Sequence, residues 1–359
     1  MKVAIVHDWL VTNAGAEKVL RSIINLYPDA DIFSLVDFLT DEERQAIVID
    51  KKVHTSFIQK LPYAKKHFRN YLPLFPKAIE SFDLKAYDLI ISSSHAVAKG
   101  IKKSKDQLHI CYCHTPIRYA WDLYDEYTFS LKQPKKFLVQ QTLKYLRQWD
   151  LATVERVDHF IANSKFVQER IQRIYHKDSK VIYPPVDIEK FTLCTQKEDF
   201  YLTASRLVPY KKTKLIVEAF NKMPDKKLVV IGDGEEYANI KSIAKENIKI
   251  LGYQDDKVLL DHMQKAKAFI YAAIEDFGII PIEAMACGTP VIALNKGGTK
   301  ETVIHKITGV HFEEQTQEGI TIAVKAFEKL NFDCTLIRDE VLKYTHFENE
   351  LRSFITKIY

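Results

Sequence analysis

Short apolar runs alternate with amphipathic stretches along most of this chain. The runs are rich in Val and Ile and bounded by charges or turn formers, the pattern of strands buried on both faces. In the first half they predict strands over residues 2–7, 31–36, 87–92, 108–113 and 159–162; in the second half, over 200–204, 227–231, 248–251, 268–271 and 290–293. Helical spacing fills most of the gaps, as over 213–221 and 235–244. Strands alternating with helices predict an α/β fold with parallel sheets. The alternation breaks at Tyr183-Pro184-Pro185-Val186-Asp187. Adjacent prolines suit neither a helix nor a central strand, so this segment reads as a hinge between two doubly wound, Rossmann-like domains. The expected division is 1–183 and 184–345. A terminal helix over 346–359 has apolar positions Phe347, Leu351, Phe354 and Ile355, which can pack back on either domain, the first being the expectation. Ligands bind such sheets beyond the carboxyl ends of the strands, so the expected site is the cleft between the two domains.

Composition narrows the class. The 359 residues are 47% hydrophobic and 28% charged, with a net charge of +5, as for an ordinary globular chain of two domains. No apolar run approaches the roughly 18–20 residues that span a membrane. The opening Met1-Lys2-Val3-Ala4-Ile5-Val6-His7-Asp8 turns polar too soon for a signal peptide and reads as a buried first strand. Five cysteines occur with no CxxC pair. Cys111 and Cys113 alternate along one strand, so they share a face and are expected to be reduced core residues rather than metal ligands. A cytoplasmic protein follows. Charge is unevenly spread: residues 51–77 contain no Asp or Glu. They carry Lys51, Lys52, Lys60, Lys65, Lys66, Arg69 and Lys77, interleaved with Phe57, Tyr63, Phe68, Tyr71 and Phe75. Such a stretch is either a peripheral contact with an anionic membrane or a solvated face over an ordinary core. No motif supports nucleic-acid binding.

The candidate chemistry lies at predicted strand ends. Glu275-Asp276-Phe277-Gly278-Ile279-Ile280-Pro281-Ile282-Glu283 follows one strand and runs into a helix. Glu275 then sits on the strand-end loop and Glu283 one turn into the helix. Between them, the amides at Gly278, Ile279 and Ile280 open a helix, where unpaired N–H groups and positive partial charge suit a phosphate. Arg206 and Lys211 flank the proline-stiffened loop after strand 200–204; they are either surface charge or a grip on a diphosphate. Gly232-Asp233-Gly234 reads as a tight strand-to-helix turn. Gly297-Gly298 allows close backbone approach to a ligand or is simply a loop. Gly252 and Tyr253, at another strand end, are candidates to contact a nucleotide base. In the first half, Thr12-Asn13-Ala14-Gly15-Ala16-Glu17 forms the first strand-to-helix turn, where Gly15 can approach a phosphate, but the full GxGxxG of dinucleotide binders is missing, which counts against a dehydrogenase. His114 ends strand 108–113 and is either a structural histidine or a ligand to a sugar hydroxyl. Arg118, Tyr119, Trp121 and Asp122 follow it, as core residues or as sugar-stacking neighbours.

Taken together, these residues resemble the retaining, nucleotide-sugar-dependent glycosyltransferases of family 4 (group 1). The paired glutamates, Arg206-x4-Lys211, Gly232-Asp233-Gly234 and Gly297-Gly298-x2-Glu301 carry the resemblance, which extends over nearly the whole chain. His7-Asp8-Trp9-Leu10, Ala14-Gly15-Ala16-Glu17 and His114-Thr115-Pro116-Ile117-Arg118-Tyr119-Ala120-Trp121-Asp122 look like the GDP-mannose-dependent mannosyltransferases within it. The resemblance implies a GT-B fold: an acceptor-binding first domain and a donor-binding second. It implies that Glu275 contacts the donor sugar, Glu283 the ribose, Arg206 and Lys211 the diphosphate with the amides at Gly278, Ile279 and Ile280, and that Phe277 belongs to the same donor loop. Gly15 would approach the donor from the first domain, and His114 would lie beside the transferred sugar. Catalysis would fall to Glu275, His114, Arg206 and Lys211, with no metal and no cofactor beyond the nucleotide sugar. The expected acceptor is a saccharide or lipid-linked saccharide at the inner membrane face, in polysaccharide or glycolipid assembly. A UDP-sugar donor, an epimerase or phosphorylase, and a non-catalytic binder are the alternatives. Two positions depart from the family pattern: Ala14 stands for the first of two glycines, and Lys212 for the glycine after the lysine.

Overall fold

In the computed structural model, which describes every residue except 50, 123, 125–127 and 129–130, the chain divides into two compact units. One comprises Met1–Pro185 and Phe347–Tyr359, the other Val186–His346. The division falls directly after the two prolines.

The first unit is built on strands β1 (Val3–His7), β2 (Asp31–Ser34), β3 (Val53–Thr55), β4 (Leu89–Ser94), β5 (Leu108–Cys113), β6 (His159–Ala162) and β7 (Ser179–Val181). They form one parallel sheet in the order β3-β2-β1-β4-β5-β6-β7. Alternate residues feed opposite faces, as the period of a strand requires. Val3, Ile5, Leu89 and Ile91 enter one apolar layer, while Ala4, Val6 and Ile90 enter the other. The helix Phe347–Ile358 groups with this unit. Its Phe347, Leu351 and Ile355 are buried in the same layer as Val19, Leu20, Ile23 and Ile24 of the helix Gly15–Leu26. Each such burial contributes about 1.5–3 kcal/mol.

The second unit holds β8 (Tyr201–Ala204), β9 (Leu228–Ile231), β10 (Ile248–Gly252), β11 (Ala268–Tyr271), β12 (Val291–Leu294) and β13 (Gly309–Phe312), parallel in the order β10-β9-β8-β11-β12-β13. In both sheets the chain builds outward from its first strand to one side, then returns to build on the other. The order therefore reverses between β1 and β4 in the first sheet and between β8 and β11 in the second. Crevices outside strand carboxyl ends form at such reversals. The periodicity missed β3, β7 and β13. Each of these short strands carries a polar residue, as V-H-T, S-K-V and G-V-H-F, so no continuous apolar run marks it.

Candidate functional site

At the reversal of the second sheet, two loops meet. The first leaves β8 at Ala204, carries Arg206, turns through the short 3₁₀ segment Pro209–Lys211 and enters the helix Thr213–Phe220. The second leaves β11 at Tyr271, carries Glu275, and enters the helix Ile279–Ala286 through Gly278, whose φ of 81° is left-handed. Lys211 Nζ forms an ion pair with Glu275 Oε1, and the Tyr271 hydroxyl donates to Glu275 Oε2. Both charged side chains are largely covered, at 14% and 19% exposure. Lys211 Nζ also lies 5.5 Å from the centre of the Tyr210 ring and 5.9 Å from that of Tyr271, within cation–π range. A lysine so caged loses little further freedom on gripping an anion. Arg206 is exposed, and its guanidinium makes no hydrogen bond or ion pair among the described residues. Glu283 is buried at 6% exposure on the helix that Gly278 opens. Arg206, Lys211, Glu275, Gly278 and Glu283 thus belong to two loops and one helix end on neighbouring strands.

The glycines allow the backbone of neighbouring loops to pass close by. A β-carbon on Gly297 would run into the Glu275 carbonyl, and one on Gly298 into the backbone of Phe277. The Gly298 amide donates to the Glu275 carbonyl at 2.8 Å. In the same way Gly232 and Gly234 lie against the backbone at Ser205 and Leu207. The close approach they permit is to the backbone of the two site loops, and it sets those loops in place. Lys212 has φ +58°. That left-handed conformation explains why a glycine would be at ease there and why the lysine is strained. Ala14 is extended, with φ −133°, so the missing glycine costs no backbone strain.

The remaining donor candidates are scattered. Gly252 ends β10, two strands from β8 on the outer edge of the sheet, and Tyr253 beyond it is 78% exposed. The Phe277 side chain is buried edge-on against Tyr344, 5.5 Å between ring centres, so only its backbone is left for a donor contact. Gly15 begins the helix Gly15–Leu26 of the first unit.

The reversal of the first sheet holds a second polar cluster, which sequence reasoning found only in part. His7 at the end of β1 is paired in register with Ser93 on β4. His7 Nδ1 and Ser93 Oγ are 3.1 Å apart, and Ser93 Oγ lies 2.8 Å from His114 Nε2 at the end of β5. Glu17, on the first helix, places Oε1 3.6 Å from His7 Nε2 and accepts the Ala14 amide at 3.1 Å through Oε2. Asp8 is fully buried and accepts four amides, of His95, Ala96, Val97 and Ala98, at 2.6–2.9 Å. It also stands 3.2 Å from His95 Nδ1. The Asn163 amide group donates to the His114 carbonyl at 3.0 Å. Burial pushes His114 well below the ordinary histidine value, helped by the nearby His95 and His7. Burial also lowers His95, against the pull of Asp8. For Glu17, burial pushes the carboxyl up, but hydrogen bonding and charge from His7 and His95 outweigh it and hold the group low. The three consecutive serines that end the apolar run of β4 were the available signal for this cluster.

Other candidates are engaged within the first unit. Trp121 Nε1 donates to Asp150 at 2.8 Å, and Asp122 pairs with Arg170 and Arg173. Asp150 is itself buried and paired at 2.9 Å with Lys99, only 1% exposed, and both oxygens accept the Tyr175 hydroxyl. Cys111 and Cys113 are free and buried in one apolar cluster. Among the described residues no group of three or more His, Cys, Asp and Glu could hold a metal ion, and no helix is long and apolar enough to cross a membrane. Within 51–77, Phe68 and Phe75 belong to the core rather than to a surface array, whereas Tyr63, Phe57 and the lysines other than Lys51 are exposed.

Comparison with known proteins bears on both units. Residues 187–340 match the family profile of glycosyl transferases group 1, and residues 15–190 that of glycosyltransferase family 4. The mouse (Mus musculus) alpha-1,3/1,6-mannosyltransferase ALG2 is 26% identical over 285 residues, covering 67% of this chain and 65% of the relative. A GDP-mannose-dependent monoacylated alpha-(1-6)-phosphatidylinositol monomannoside mannosyltransferase of Corynebacterium glutamicum is 32% identical over 114 residues, 28% of this chain and 30% of that protein. These matches span less than two thirds of the length of either relative. The crystal structure of Anabaena HepE in complex with UDP and glucose superposes with a TM-score of 0.70 at 18% identity, covering 99% of this chain and 100% of that one. At that identity the likeness is one of fold.

Proposed function

This chain belongs to the group 1, family 4 glycosyltransferases and has their GT-B fold, and on that premise we propose that it is a hexosyltransferase moving mannose from GDP-mannose, with retained anomeric configuration. The carrying observation is the Lys211–Glu275 pair beside exposed Arg206 and the helix end at Gly278, all at the sheet reversal of the second unit. A nucleoside diphosphate fits this set. Arg206, Lys211 and the amides at Gly278, Ile279 and Ile280 take the diphosphate, with no metal required to balance its charge. Glu283 takes the ribose hydroxyls, Glu275 the sugar hydroxyls, and Gly252 and Tyr253 the base. As the glycosidic C–O bond breaks, negative charge grows on the leaving diphosphate, so fixed cations there favour the transition state over the ground state. His114 of the first unit, with Gly15, serves the transferred sugar.

Glu275 already accepts from Lys211 and from Tyr271. A carboxylate with both oxygens so engaged is a poor nucleophile and a good hydroxyl acceptor. This favours same-face attack, with the leaving phosphate taking the acceptor's proton, over a covalent intermediate between carboxylates about 5–5.5 Å apart.

The proposed acceptor is a lipid-linked saccharide in polysaccharide or glycolipid assembly at the inner membrane face. Exposed Lys60, Lys65, Lys66, Arg69 and Tyr63 support a membrane contact. The 3₁₀ segment Phe68–Leu74 in this region packs against the helix Lys135–Ala152, which adds exposed Phe137 and Leu138 beside Lys135. Residues 128–149 contain no acid either. Basic residues around exposed apolar ones suit an anionic lipid surface. Vesicles containing phosphatidylserine should retain the protein at low salt and release it at high salt; no retention at low salt removes this part of the proposal.

The second reading is a UDP-sugar donor, which the UDP and glucose held by the Anabaena fold relative favours. The test is transfer from radiolabelled GDP-mannose and UDP-glucose to a panel of lipid-linked saccharides, with product analysis. Mannosylated product with retained configuration is expected. Free sugar phosphate or an isomerised nucleotide sugar would replace transfer by phosphorolysis or epimerisation, and donor binding without any product would leave a binder.

A further inference from the structure

The Glu275 carboxylate is held from two sides, and the two holders differ in kind. We propose that Tyr271 is the positioning residue for the sugar half of the donor. Its hydroxyl fixes Glu275 in place for the sugar hydroxyls, and so lets this chain prefer a nucleotide sugar over the bare nucleoside diphosphate that transfer leaves behind. The identity of these ligands rests on the transferase reading above; the hold of Tyr271 on Glu275 does not.

Glu275 lies on irregular backbone between β11 and the helix Ile279–Ala286. That backbone is pinned at two points. Gln315 Nε2 donates to the Ala272 carbonyl at 2.7 Å, and the Gly298 amide donates to the Glu275 carbonyl at 2.8 Å. The side chain is held separately, by Lys211 on Oε1 and by the Tyr271 hydroxyl on Oε2. Lys211 belongs to the 3₁₀ segment Pro209–Lys211 and, on the reading above, also meets the diphosphate. A lysine has three N–H donors on a flexible stem, so it can serve both partners, but it shifts as the diphosphate comes and goes.

Tyr271 has no such freedom. It is the last residue of β11, in register with Ala293 of β12, and β11 lies inside the sheet between β8 and β12. It is 3% exposed, and its ring stacks on Phe269 with 6.3 Å between centres and 28° between planes. A phenol packed in this way has one place for its oxygen, beside Glu275. Sites carried on strands hold their groups more exactly than sites on loops. A carboxylate has about four acceptor positions, so these two bonds orient Glu275 without by themselves closing it to hydroxyls. When the diphosphate draws on Lys211, Tyr271 is the hold that stays, and Glu275 meets the sugar from an unchanged position. After transfer, the leaving nucleoside diphosphate carries no sugar hydroxyls and gains nothing from this arrangement. Tyr271 therefore acts on the substrate and not on the product.

Tyr271→Phe removes the hydroxyl and keeps the ring on Phe269 and within cation–π range of Lys211. Calorimetric titration of the full chain with GDP and GDP-mannose, and with UDP and UDP-glucose, reads the effect. Tyr271→Phe is expected to bind the nucleoside diphosphate within about twofold of wild type and the nucleotide sugar roughly tenfold more weakly, the scale of one charge-assisted hydrogen bond. A merely structural tyrosine would weaken both alike or neither, and either result overturns the proposal. A second measurement needs no ligand. In the chain labelled with carbon-13 at the tyrosine ζ position, the Tyr271 signal is the one lost in Tyr271→Phe. Glu275→Ala is expected to move that signal, and an unmoved signal overturns the hold. If none of these nucleotides binds the wild type, the proposed function fails and the sugar role with it, while the carbon signal still decides the hold.

Discussion

The two sheets share one topology and carry different chemistry at the same place. At the first reversal, between β1 and β4, the polar groups are buried and mostly bonded within the unit: His7 and His114 to Ser93, Glu17 to the Ala14 amide, and Asp8 to the turn after β4. At the second, between β8 and β11, they are half covered: Arg206 exposed, Lys211 and Glu275 paired at the rim, and a helix end beside them. A closed polar network is expensive to disturb and specifies one arrangement. A rim of charges is cheap to rearrange around a charged ligand. The comparison teaches that the crevice position comes from topology, while burial decides whether its residues orient a group or grip one.

The largest expected effect tests how far closure governs the first unit. Asp150→Ala would strand Lys99 without its carboxylate in the interior, and about 3–5 kcal/mol of stability should be lost in denaturant melts. A loss no greater than that of an exposed pair would break the contrast between the units. Next comes the rim itself. Lys211→Ala and Glu275→Ala should leave stability nearly unchanged and lower the transfer rate about 10²–10³-fold, as for removal of a preorganised electrostatic group. Large stability losses with modest rate losses would make the pair structural.

Acid should separate the units more gently. Buried His109 is pushed from 6.5 down to about 4 by burial, and His95 and His114 are lowered in the same direction. A depressed histidine stabilises the fold fully above its unfolded value and loses that contribution as pH falls through the folded one. For His109 the window is from 6.5 to about 4. In the second unit, burial raises Glu328 but Lys226, Lys267 and Tyr201 outweigh it, taking it from 4.5 to about 2, so its contribution is lost only within that lower window. Hydrogen exchange should therefore show β4 and β5 losing protection at a higher pH than β8 and β9; simultaneous loss would contradict the difference. The smallest effect is local: Lys212→Gly, relieving φ +58°, should stabilise the chain by about 1 kcal/mol in a thermal melt.

Much of this was legible in the sequence, and the comparison explains which part. Arg206, Lys211, Glu275 and Glu283 lie in two contiguous loops, each announced by the strand before it and the helix after it, so local pattern sufficed. The buried polar cluster of the first unit draws on residues 7, 17, 93 and 114, which meet only through strand order, and no local pattern reports that order. His114 was singled out because it ends a strand, and His7 and Glu17 entered only as parts of the motifs that carry the resemblance. The glycines stayed ambiguous for a related reason. Gly297 and Gly298 announce a close approach, but their spacing cannot say whether a ligand or the backbone at Glu275 and Phe277 approaches. Likewise, Phe277 sits in a site loop by sequence while its ring is committed to Tyr344. The strands β3, β7 and β13 each carry a polar residue, His54, Lys180 or His311, that breaks the apolar run by which the others were found.

The central claim is that the rim at β8 and β11 holds a nucleoside diphosphate. Calorimetric titration of GDP into the full chain, wild type and Lys211→Ala, tests it most directly. Saturable binding in the wild type, weakened at least about tenfold in the variant (near 1.4 kcal/mol), is the predicted result. Equal affinity in the two proteins, or no binding of GDP or UDP to either, would contradict it.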